Sequence, residues 1–246
     1  MKTRILRLLP LFCVAASLAL AGPESYLPAD GHFPVPGKIS SWSGFLQKNA
    51  ERRADFAAHE ADDQNKIVFV GDSITEGWHM VQTDFRGLDV PVANRGIGGD
   101  TTPNLVYRLQ DDILSLHPRA LVILIGTNDL GENTSPGQIA SNEKEMLARI
   151  RAEYPTIPIA WCLVMPRGDN QDYVARIHEL NDRIKAFAAT DPHVTICDTF
   201  TPLARADGTA NPRYYVPDLL HLNSEGYGAW RHALLPILES WHLSAE

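Results

Sequence analysis

An apolar run that stops abruptly at a Gly-Asp-Ser turn, within residues 66–78, most constrains what this 246-residue chain can fold into. The run at residues 67–70 has no polar alternation, which is typical of a strand buried on both faces of a sheet. Ser73 would then lie just past the C-terminal end of that strand, where open parallel sheets form ligand crevices. A serine at this place is a candidate nucleophile, although it could also be a turn residue that caps the next helix.

Strand-like and helix-like patterns alternate along the rest of the chain. Apolar runs at residues 120–125, 157–165 and 194–197 predict further strands, and a short run at 90–94 predicts a fifth if it is counted. Amphipathic segments lie between them, and the connections are long enough for right-handed crossovers. The sequence therefore predicts an α/β fold, a three-layer α/β/α domain around a five-stranded parallel sheet.

The first 21 residues have the pattern of a secretory signal peptide. Lys2, Arg4 and Arg7 precede an apolar stretch at residues 8–20, and small residues stand at positions 19 and 21. We expect cleavage after Ala21 and export, so that the mature protein is secreted or periplasmic. The stretch is too short to favour a membrane anchor.

Domain organisation beyond the predicted signal peptide is simple. Residues 22–38 contain four prolines and three glycines, which predicts an extended lead-in. A single domain is expected over residues 39–246. Its first helix is predicted from about residue 40, with Trp42, Phe45 and Phe56 on the face that packs against the sheet.

Charge and cysteine usage exclude some partners and cofactors. Removing residues 1–21 takes away three basic residues and no acidic one, which moves the formal net charge from −8 to −11. Such a chain repels phosphate backbones, so a nucleic-acid partner is not expected. Cys162 and Cys197 lie in strand-like runs, where buried free thiols are more frequent than a disulfide. No Cys/His spacing resembles a zinc site.

Polar residues follow several of the predicted strands and meet the needs of acyl transfer. Asp218 and His221 are three residues apart, so the carboxylate can reach one imidazole nitrogen while the other points away. A base of this kind would activate Ser73. Donors for an oxyanion are available from the N–H of Ser73, the N–H of Gly99 and the side-chain amide of Asn128.

These blocks resemble a known superfamily. Gly71-Asp72-Ser73-Ile74, the pair at residues 98–99, the block at residues 126–129 and Asp218-x-x-His221 are similar to the four ordered blocks of the SGNH (GDSL) hydrolases. Residues 96–101 and 163–168 are further similar to the branch that includes the catalytic subunits of platelet-activating-factor acetylhydrolase.

The resemblance implies a flavodoxin-like fold, no metal or organic cofactor, and ester hydrolysis through an acyl-enzyme. It implies roles for matching residues: Ser73 as nucleophile and first oxyanion donor, His221 as base, Asp218 as its partner. Gly99 and Asn128 would be the other oxyanion donors. Between Gly98 and Gly99, the second glycine of the pair holds that place in the branch that this chain resembles.

Two rival functions belong to other classes. A non-catalytic ligand-binding domain of this fold would have no need of Ser73, Asp218 and His221 together. A flavodoxin-like nucleotide binder is disfavoured because Asp72 and Glu76 place carboxylates on both sides of the turn that would hold phosphate.

The expected substrate is a small-molecule or carbohydrate ester with a short acyl group, and lysophospholipid or acyl-thioester hydrolysis stays an alternative. Some aromatic residues could form a sugar-stacking wall or simply pack in the interior: Trp78, Tyr173, Tyr214 and Tyr215. Asp72 is expected to bond backbone groups of its own loop. Arg167 is expected either to pair with a surface carboxylate or to touch substrate.

Overall fold

A computed structural model describes residues 27–244 of the protein. Within that range five strands form one sheet in the spatial order β2-β1-β3-β4-β5, with every neighbouring pair parallel. The strands are β1 (Ile67–Gly71), β2 (Val92–Gly96), β3 (Ala120–Leu124), β4 (Ile159–Cys162) and β5 (Val194–Cys197). This order is that of flavodoxin-like folds, which confirms the predicted fold class. The short run at residues 90–94 does contribute a strand, β2.

Helices cover both faces of the sheet. They are α1 (Phe45–Ala58), α2 (Ser73–Glu76), α3 (Val81–Asp84), α4 (Thr102–Asp112), α5 (Thr127–Gly131), α6 (Pro136–Glu153), α7 (Gln171–Ala188) and α8 (Ser224–Ser240). Short 3-10 turns lie at Leu114–Leu116, Thr201–Leu203 and Pro212–Tyr214. Ser135 caps α6, because its hydroxyl accepts a hydrogen bond from the N–H of Gln138 at 3.2 Å.

Alternate residues of β1 enter two different cores. Val68 and Val70 pack with apolar residues of α4, α6 and α7 on one face. Ile67 and Phe69 pack on the other face with residues of α3 and α8, including Trp230. Burial of each such side chain contributes about 1.5–3 kcal/mol, so both faces favour an apolar residue at every position. This is why the run lacks polar alternation.

The first helix begins later than predicted. The sequence pattern placed Trp42 on its buried face, but α1 starts at Phe45 and the Trp42 side chain is 52% exposed. Serine and glycine occupy residues 40, 41, 43 and 44, and these residue types favour turns over helix interiors. The prediction for Trp42 is therefore wrong.

Residues 27–44, here called the N-terminal strap, cross the surface beside α4 and α6. The carbonyl of Pro36 accepts a hydrogen bond from Asn142, and that of Lys38 accepts one from Thr101, each at 2.8 Å. The predicted signal peptide, residues 1–21, and the start of the lead-in lie outside the described residues. In the described part of the chain, no helix is long and apolar enough to cross a membrane.

The two cysteines of the predicted mature chain are neighbours in the sheet. Cys162 on β4 and Cys197 on β5 are paired in register, and both are buried and free. The prediction of free thiols is confirmed. Burial, together with the neighbouring thiol, raises the pKa of Cys162 well above its ordinary value, so it stays protonated.

Candidate active site

The turn after β1 places Ser73 at the start of α2. The buried carboxylate of Asp72 accepts a hydrogen bond from the N–H of Ile74 at 2.9 Å, which confirms its predicted structural role. Gly71 is needed because a Cβ there would come within 2.3 Å of the carbonyl oxygen of Leu124. The turn is therefore tight, and it presents the Ser73 side chain at the carboxyl edge of the sheet.

The loop before α8 brings His221 to Ser73 across 148 residues of sequence. The Nε2 atom of His221 lies 2.8 Å from the Oγ atom of Ser73, and its Nδ1 atom lies 2.6 Å from Oδ2 of Asp218. The three side chains thus form one continuous hydrogen-bonded row. This is the geometry expected of a nucleophile, its base and the group that orients the base.

Asp218 is held by its own loop as well as by the histidine. Its Oδ1 atom accepts the backbone N–H groups of Leu220 and His221, both at 2.9 Å. Partial burial would raise the pKa of Asp218, but the hydrogen bonds from His221 and Leu220 outweigh it and hold that pKa below its ordinary value. The Asp218 side chain is 47% exposed and stays ionised at neutral pH.

One contact decides which glycine of the pair can serve as an oxyanion donor. The N–H of Gly98 donates to the Glu76 carboxylate at 2.6 Å, so it is already engaged. The N–H groups of Gly99 and Ser73 have no hydrogen-bond partner within residues 27–244. Gly99 adopts a left-handed conformation, with φ +85°, that favours glycine. Gly99 is therefore the member of the pair with an available N–H, and its role as an oxyanion donor stays a prediction.

Asn128 is oriented by the same turn. Its Nδ2 atom donates one hydrogen to the carbonyl oxygen of Asp100 at 2.9 Å. An amide nitrogen carries two hydrogens, so the second is available to a ligand. Ser73, Gly99, Asn128 and His221 all line one cavity of about 480 Å³. The structure thus brings the predicted donors, nucleophile and base to one place, with Asp218 behind the base.

A buried ion pair that sequence reasoning missed supports these turns. Arg108 is fully buried, and its Nε atom donates to Asp100 Oδ2 at 2.7 Å. Its Nη2 atom donates to the carbonyl oxygens of Gly71 and Arg95 at 3.3 and 2.8 Å. Arg108 therefore ties the ends of β1 and β2 to the glycine turn. The spacing of Asp100, Asn104 and Arg108 by four residues was the available signal.

Glu76 is the second functional residue that the sequence analysis did not assign. Besides Gly98, its carboxylate has two basic neighbours, Lys48 at 3.5 Å and Arg52 at 3.7 Å. Glu76 thus stabilises the conformation of the glycine turn from the α2 side.

Two expectations about side chains near the site are settled by packing. Within residues 27–244, Arg167 neither pairs with a surface carboxylate nor lines the cavity: it donates to the Thr127 carbonyl at 2.6 Å and stacks 4.4 Å above the Tyr173 ring. Among the four aromatics considered for a sugar wall, Trp78 and Tyr215 are buried. None of the four lines the cavity that contains Ser73.

Residues 27–244 contain no group of three or more His, Cys, Asp or Glu side chains arranged to hold a metal ion. The positions that line the cavity around Ser73 offer hydrogen-bond donors and two imidazoles, of which that of His221 lies within hydrogen-bond distance of Ser73. What the arrangement can do chemically is to deprotonate a hydroxyl next to a set of oxyanion donors.

A five-stranded parallel sheet of this order, with Asp218, His221 and Ser73 hydrogen-bonded in a row at its carboxyl edge, defines the class of α/β/α serine hydrolases. The chain belongs to the GDSL-like lipase/acylhydrolase family, whose sequence profile matches residues 69–229. The superfamily resemblance drawn from the motifs is thereby confirmed. Membership implies ester hydrolase activity.

Individual relatives agree with this assignment. The chain is 27% identical over 187 residues to the human platelet-activating factor acetylhydrolase IB subunit alpha1, covering 74% of this chain and 79% of the relative. It is 28% identical over 170 residues to the human alpha2 subunit, with 68% and 72% covered. The structure of a GDSL-like lipase from Bacteroides thetaiotaomicron superposes with a TM-score of 0.65 at 25% identity, covering 76% and 98% of the two chains.

Proposed function

We propose that the protein is an exported serine esterase that removes short acyl groups, chiefly acetyl, from carbohydrate esters through an acyl-Ser73 intermediate. The observation that carries the proposal is the hydrogen-bonded row, in which His221 Nε2 lies 2.8 Å from Ser73 Oγ and His221 Nδ1 lies 2.6 Å from Asp218. In this proposal Ser73 is the nucleophile, His221 the base and Asp218 its partner.

The first half of the reaction forms the acyl-enzyme. Ser73 Oγ attacks the ester carbonyl carbon while His221 Nε2 takes the hydroxyl proton. Negative charge develops on the carbonyl oxygen, where the N–H groups of Ser73 and Gly99 and the Asn128 amide donate hydrogen bonds. When the tetrahedral intermediate collapses, His221 returns the proton to the alcohol oxygen, and the alcohol leaves.

The second half releases the acid. A water molecule gives a proton to His221 and attacks the acyl carbon, and the same donors stabilise the second oxyanion. Collapse breaks the bond to Ser73 Oγ, which recovers its proton from His221. Asp218 stays ionised throughout because its pKa lies below its ordinary value, so its charge stabilises imidazolium in both halves.

The preference for acetyl is supported by the relatives. The human proteins at 27% and 28% identity carry the name acetylhydrolase, which describes removal of an acetyl group. Export is supported by the charged and apolar pattern of residues 1–21. An exported enzyme with an acidic chain meets polysaccharide esters outside the cytoplasm, which motivates a carbohydrate as the alcohol part.

The test is turnover of p-nitrophenyl acetate by a Ser73→Ala variant. We expect kcat/KM to fall at least about 10³-fold with an unchanged circular dichroism spectrum, because the nucleophile is lost without a change in packing. Ser141→Ala, an exposed serine on α6 outside the cavity, is the matched control. Turnover by Ser73→Ala close to that of the control would refute Ser73 as the nucleophile.

A second measurement tests the acyl preference. The wild-type protein should hydrolyse p-nitrophenyl acetate with a higher kcat/KM than the octanoate or palmitate esters. A preference for the long chains would contradict the acetyl proposal and favour a lysophospholipase or thioesterase instead.

A further inference from the structure

An aromatic side chain that the sequence pattern assigned to the core lies at the mouth of the reaction cavity instead. Trp42 is 52% exposed and lines the cavity together with Ser40. Among the described residues that line this cavity, no other is a Phe, Tyr or Trp. Both residues belong to the N-terminal strap, which precedes the region matched by the family profile, residues 69–229. A segment outside the matched region thus supplies one wall of the site.

The strap is held firmly where it reaches the cavity. The N–H and the hydroxyl of Ser41 both donate to Glu132 Oε1, at 2.6 and 2.7 Å. Lys38 Nζ donates to the carbonyl oxygen of Glu132 at 3.0 Å. The hydrogen bonds from Ser41 hold the pKa of Glu132 below its ordinary value, so this acceptor is ionised at neutral pH. Trp42 therefore follows a residue with a defined position.

The indole ring is also placed by its own turn. A Cβ on Gly44 would lie 2.5 Å from Cζ2 of the Trp42 ring, so the ring packs directly against the backbone of Gly44. Ser40 likewise packs against the backbone of Gly99 in the glycine turn, because a Cβ on Gly99 would lie 3.3 Å from the Oγ atom of Ser40. The half-exposed indole is thus a flat apolar surface fixed beside the reaction centre.

Polar side chains lead from the reaction cavity into an adjoining groove whose lining is mainly polar. Lys48, Glu76 and His79 line the same cavity as Trp42. Glu76 and His79 also line the adjoining groove of about 450 Å³. Most of its other lining residues are polar, among them Arg52, Asp55, His59, Asp62 and Gln82, and three are apolar, Phe56, Trp78 and Val81. An acyl chain laid along this groove would desolvate charged groups with no compensating hydrogen bonds. A polyhydroxylated chain would instead find donors and acceptors along its length.

We propose that Trp42 is the stacking surface for a sugar ring in the alcohol part of the substrate, and that the groove beyond Glu76 and His79 takes the next sugar units. This inference rests on the proposed esterase function. The apolar C–H face of a pyranose packs on an aromatic ring, and its hydroxyls need hydrogen-bonding side chains at the ring edge. A flat indole bordered by Lys48 and Glu76 offers both.

The experiment compares three substrates: p-nitrophenyl acetate, p-nitrophenyl octanoate and acetylated xylo-oligosaccharides of one to four sugar units. The measured quantity is the ratio of kcat/KM for each substrate to that for p-nitrophenyl acetate. For Trp42→Ala we expect the ratio for the sugar ester to fall about tenfold through a raised KM, whereas Trp42→Phe should keep most of it. A tenfold change corresponds to about 1.4 kcal/mol of binding free energy.

Two further variants sharpen the result. Gly44→Ala should lower the same ratio without removing the indole, because the new methyl group displaces the ring. His79→Ala should reduce the gain in kcat/KM from one to four sugar units, because His79 borders the groove. Met80→Ala is the matched control: Met80 is an apolar side chain that is 56% exposed and lines neither the cavity nor the groove. It should leave every ratio unchanged.

Each outcome decides the inference separately from the esterase function. The stacking role is overturned if Trp42→Ala and Gly44→Ala have the same sugar-ester ratio as Met80→Ala. Turnover of p-nitrophenyl acetate reports the Ser73 chemistry independently of that result. A fall in the octanoate ratio alone also overturns it, because Trp42 would then contact the acyl chain. If no variant or wild-type protein hydrolyses any ester, the proposed function itself fails.

Discussion

The Glu76 carboxylate accepts a hydrogen bond from the backbone N–H of Gly98 at 2.6 Å, from a residue 22 positions away in sequence. This contact fixes the peptide between Ile97 and Gly98, whereas the Gly99 N–H has no hydrogen-bond partner in residues 27–244. The side chain that engages Gly98 is on the same short helix as Ser73, three residues later.

The first prediction concerns this contact. Glu76→Ala should lower kcat for p-nitrophenyl acetate about tenfold or more with little change in KM, because a misplaced Gly99 N–H weakens a hydrogen bond that is strongest in the transition state. Glu76→Gln should recover much of kcat, since its amide oxygen can still accept the Gly98 N–H. Steady-state kinetics of both variants make the comparison.

The control for Glu76 is Glu51→Ala, an exposed glutamate on α1, which should match wild type. Equal losses in Glu76→Ala and Glu76→Gln would assign the effect to charge rather than to the position of the glycine turn. A rise in KM with unchanged kcat would contradict the positioning role.

The second prediction concerns Asp218. Asp218→Asn should lower kcat on the order of 10³-fold, because an amide no longer stabilises imidazolium and can favour the wrong tautomer of His221. The backbone N–H groups of Leu220 and His221 still have an acceptor in the asparagine oxygen, so the loop should keep its shape. Thermal unfolding should therefore change little. Activity within threefold of wild type would show that Asp218 does not assist His221.

The third prediction is a pH dependence of stability caused by Asp72. Burial raises the pKa of Asp72 to about 7 from an ordinary value of 3.8. Between these values the folded protein keeps a proton that the unfolded chain has lost, so this group lowers stability as pH rises from about 4 to 7, with no further change above. The effect amounts to at most about 1.4 kcal/mol per pH unit within that window.

Asp72→Asn removes this titration while it keeps an oxygen for the Ile74 N–H. We expect the stability of the variant relative to wild type, measured by urea unfolding, to increase steadily from pH 4.5 to pH 7 and then to level off. Asp207→Asn is the control: hydrogen bonds from Thr209 hold the pKa of Asp207 below its ordinary value, so this group is ionised in both states over the measured range and the variant should show no pH-dependent difference from wild type. A difference between Asp72→Asn and wild type that is constant with pH would disprove the proposed titration.

The fourth prediction concerns export. When the full chain is expressed in a bacterial host, the protein recovered outside the cytoplasm should begin at Gly22, as N-terminal sequencing would determine. Ala19→Lys should block processing, because it places a large charged residue where the peptidase requires a small one, whereas Ser17→Ala should not. A cytoplasmic protein that retains residues 1–21 would refute the signal peptide.

Local pattern determined much of this fold. The strand pattern of β1 and β3 follows from the burial of both faces, which demands apolar residues at consecutive positions whatever the partners are. The parallel order then brings the residues after those strands to one edge, so Ser73 and Asn128 could be placed together before their contacts were known. The three-residue spacing likewise anticipated the bond between Asp218 and His221.

Contacts between distant segments were decided only by the tertiary structure. Helical periodicity assigned Trp42 to the core, but periodicity cannot locate a helix start that depends on the turn at Gly44 and on the anchoring of Ser41 by Glu132, 91 residues away. Arg167 had no assigned partner because Thr127 lies 40 residues from it.

The sequence by itself thus determined the sheet, the carboxyl edge and the residue types that meet there, because burial and backbone direction are encoded in short stretches. The tertiary structure alone decided that Gly99 rather than Gly98 has the available N–H, and that Trp42 faces the cavity. Both outcomes depend on neighbours that are distant or local in sequence: the Glu76 side chain engages Gly98, and the Trp42 ring packs against the bare backbone of Gly44 while Glu132 anchors the N-terminal strap. Those neighbours come together only when the chain is folded.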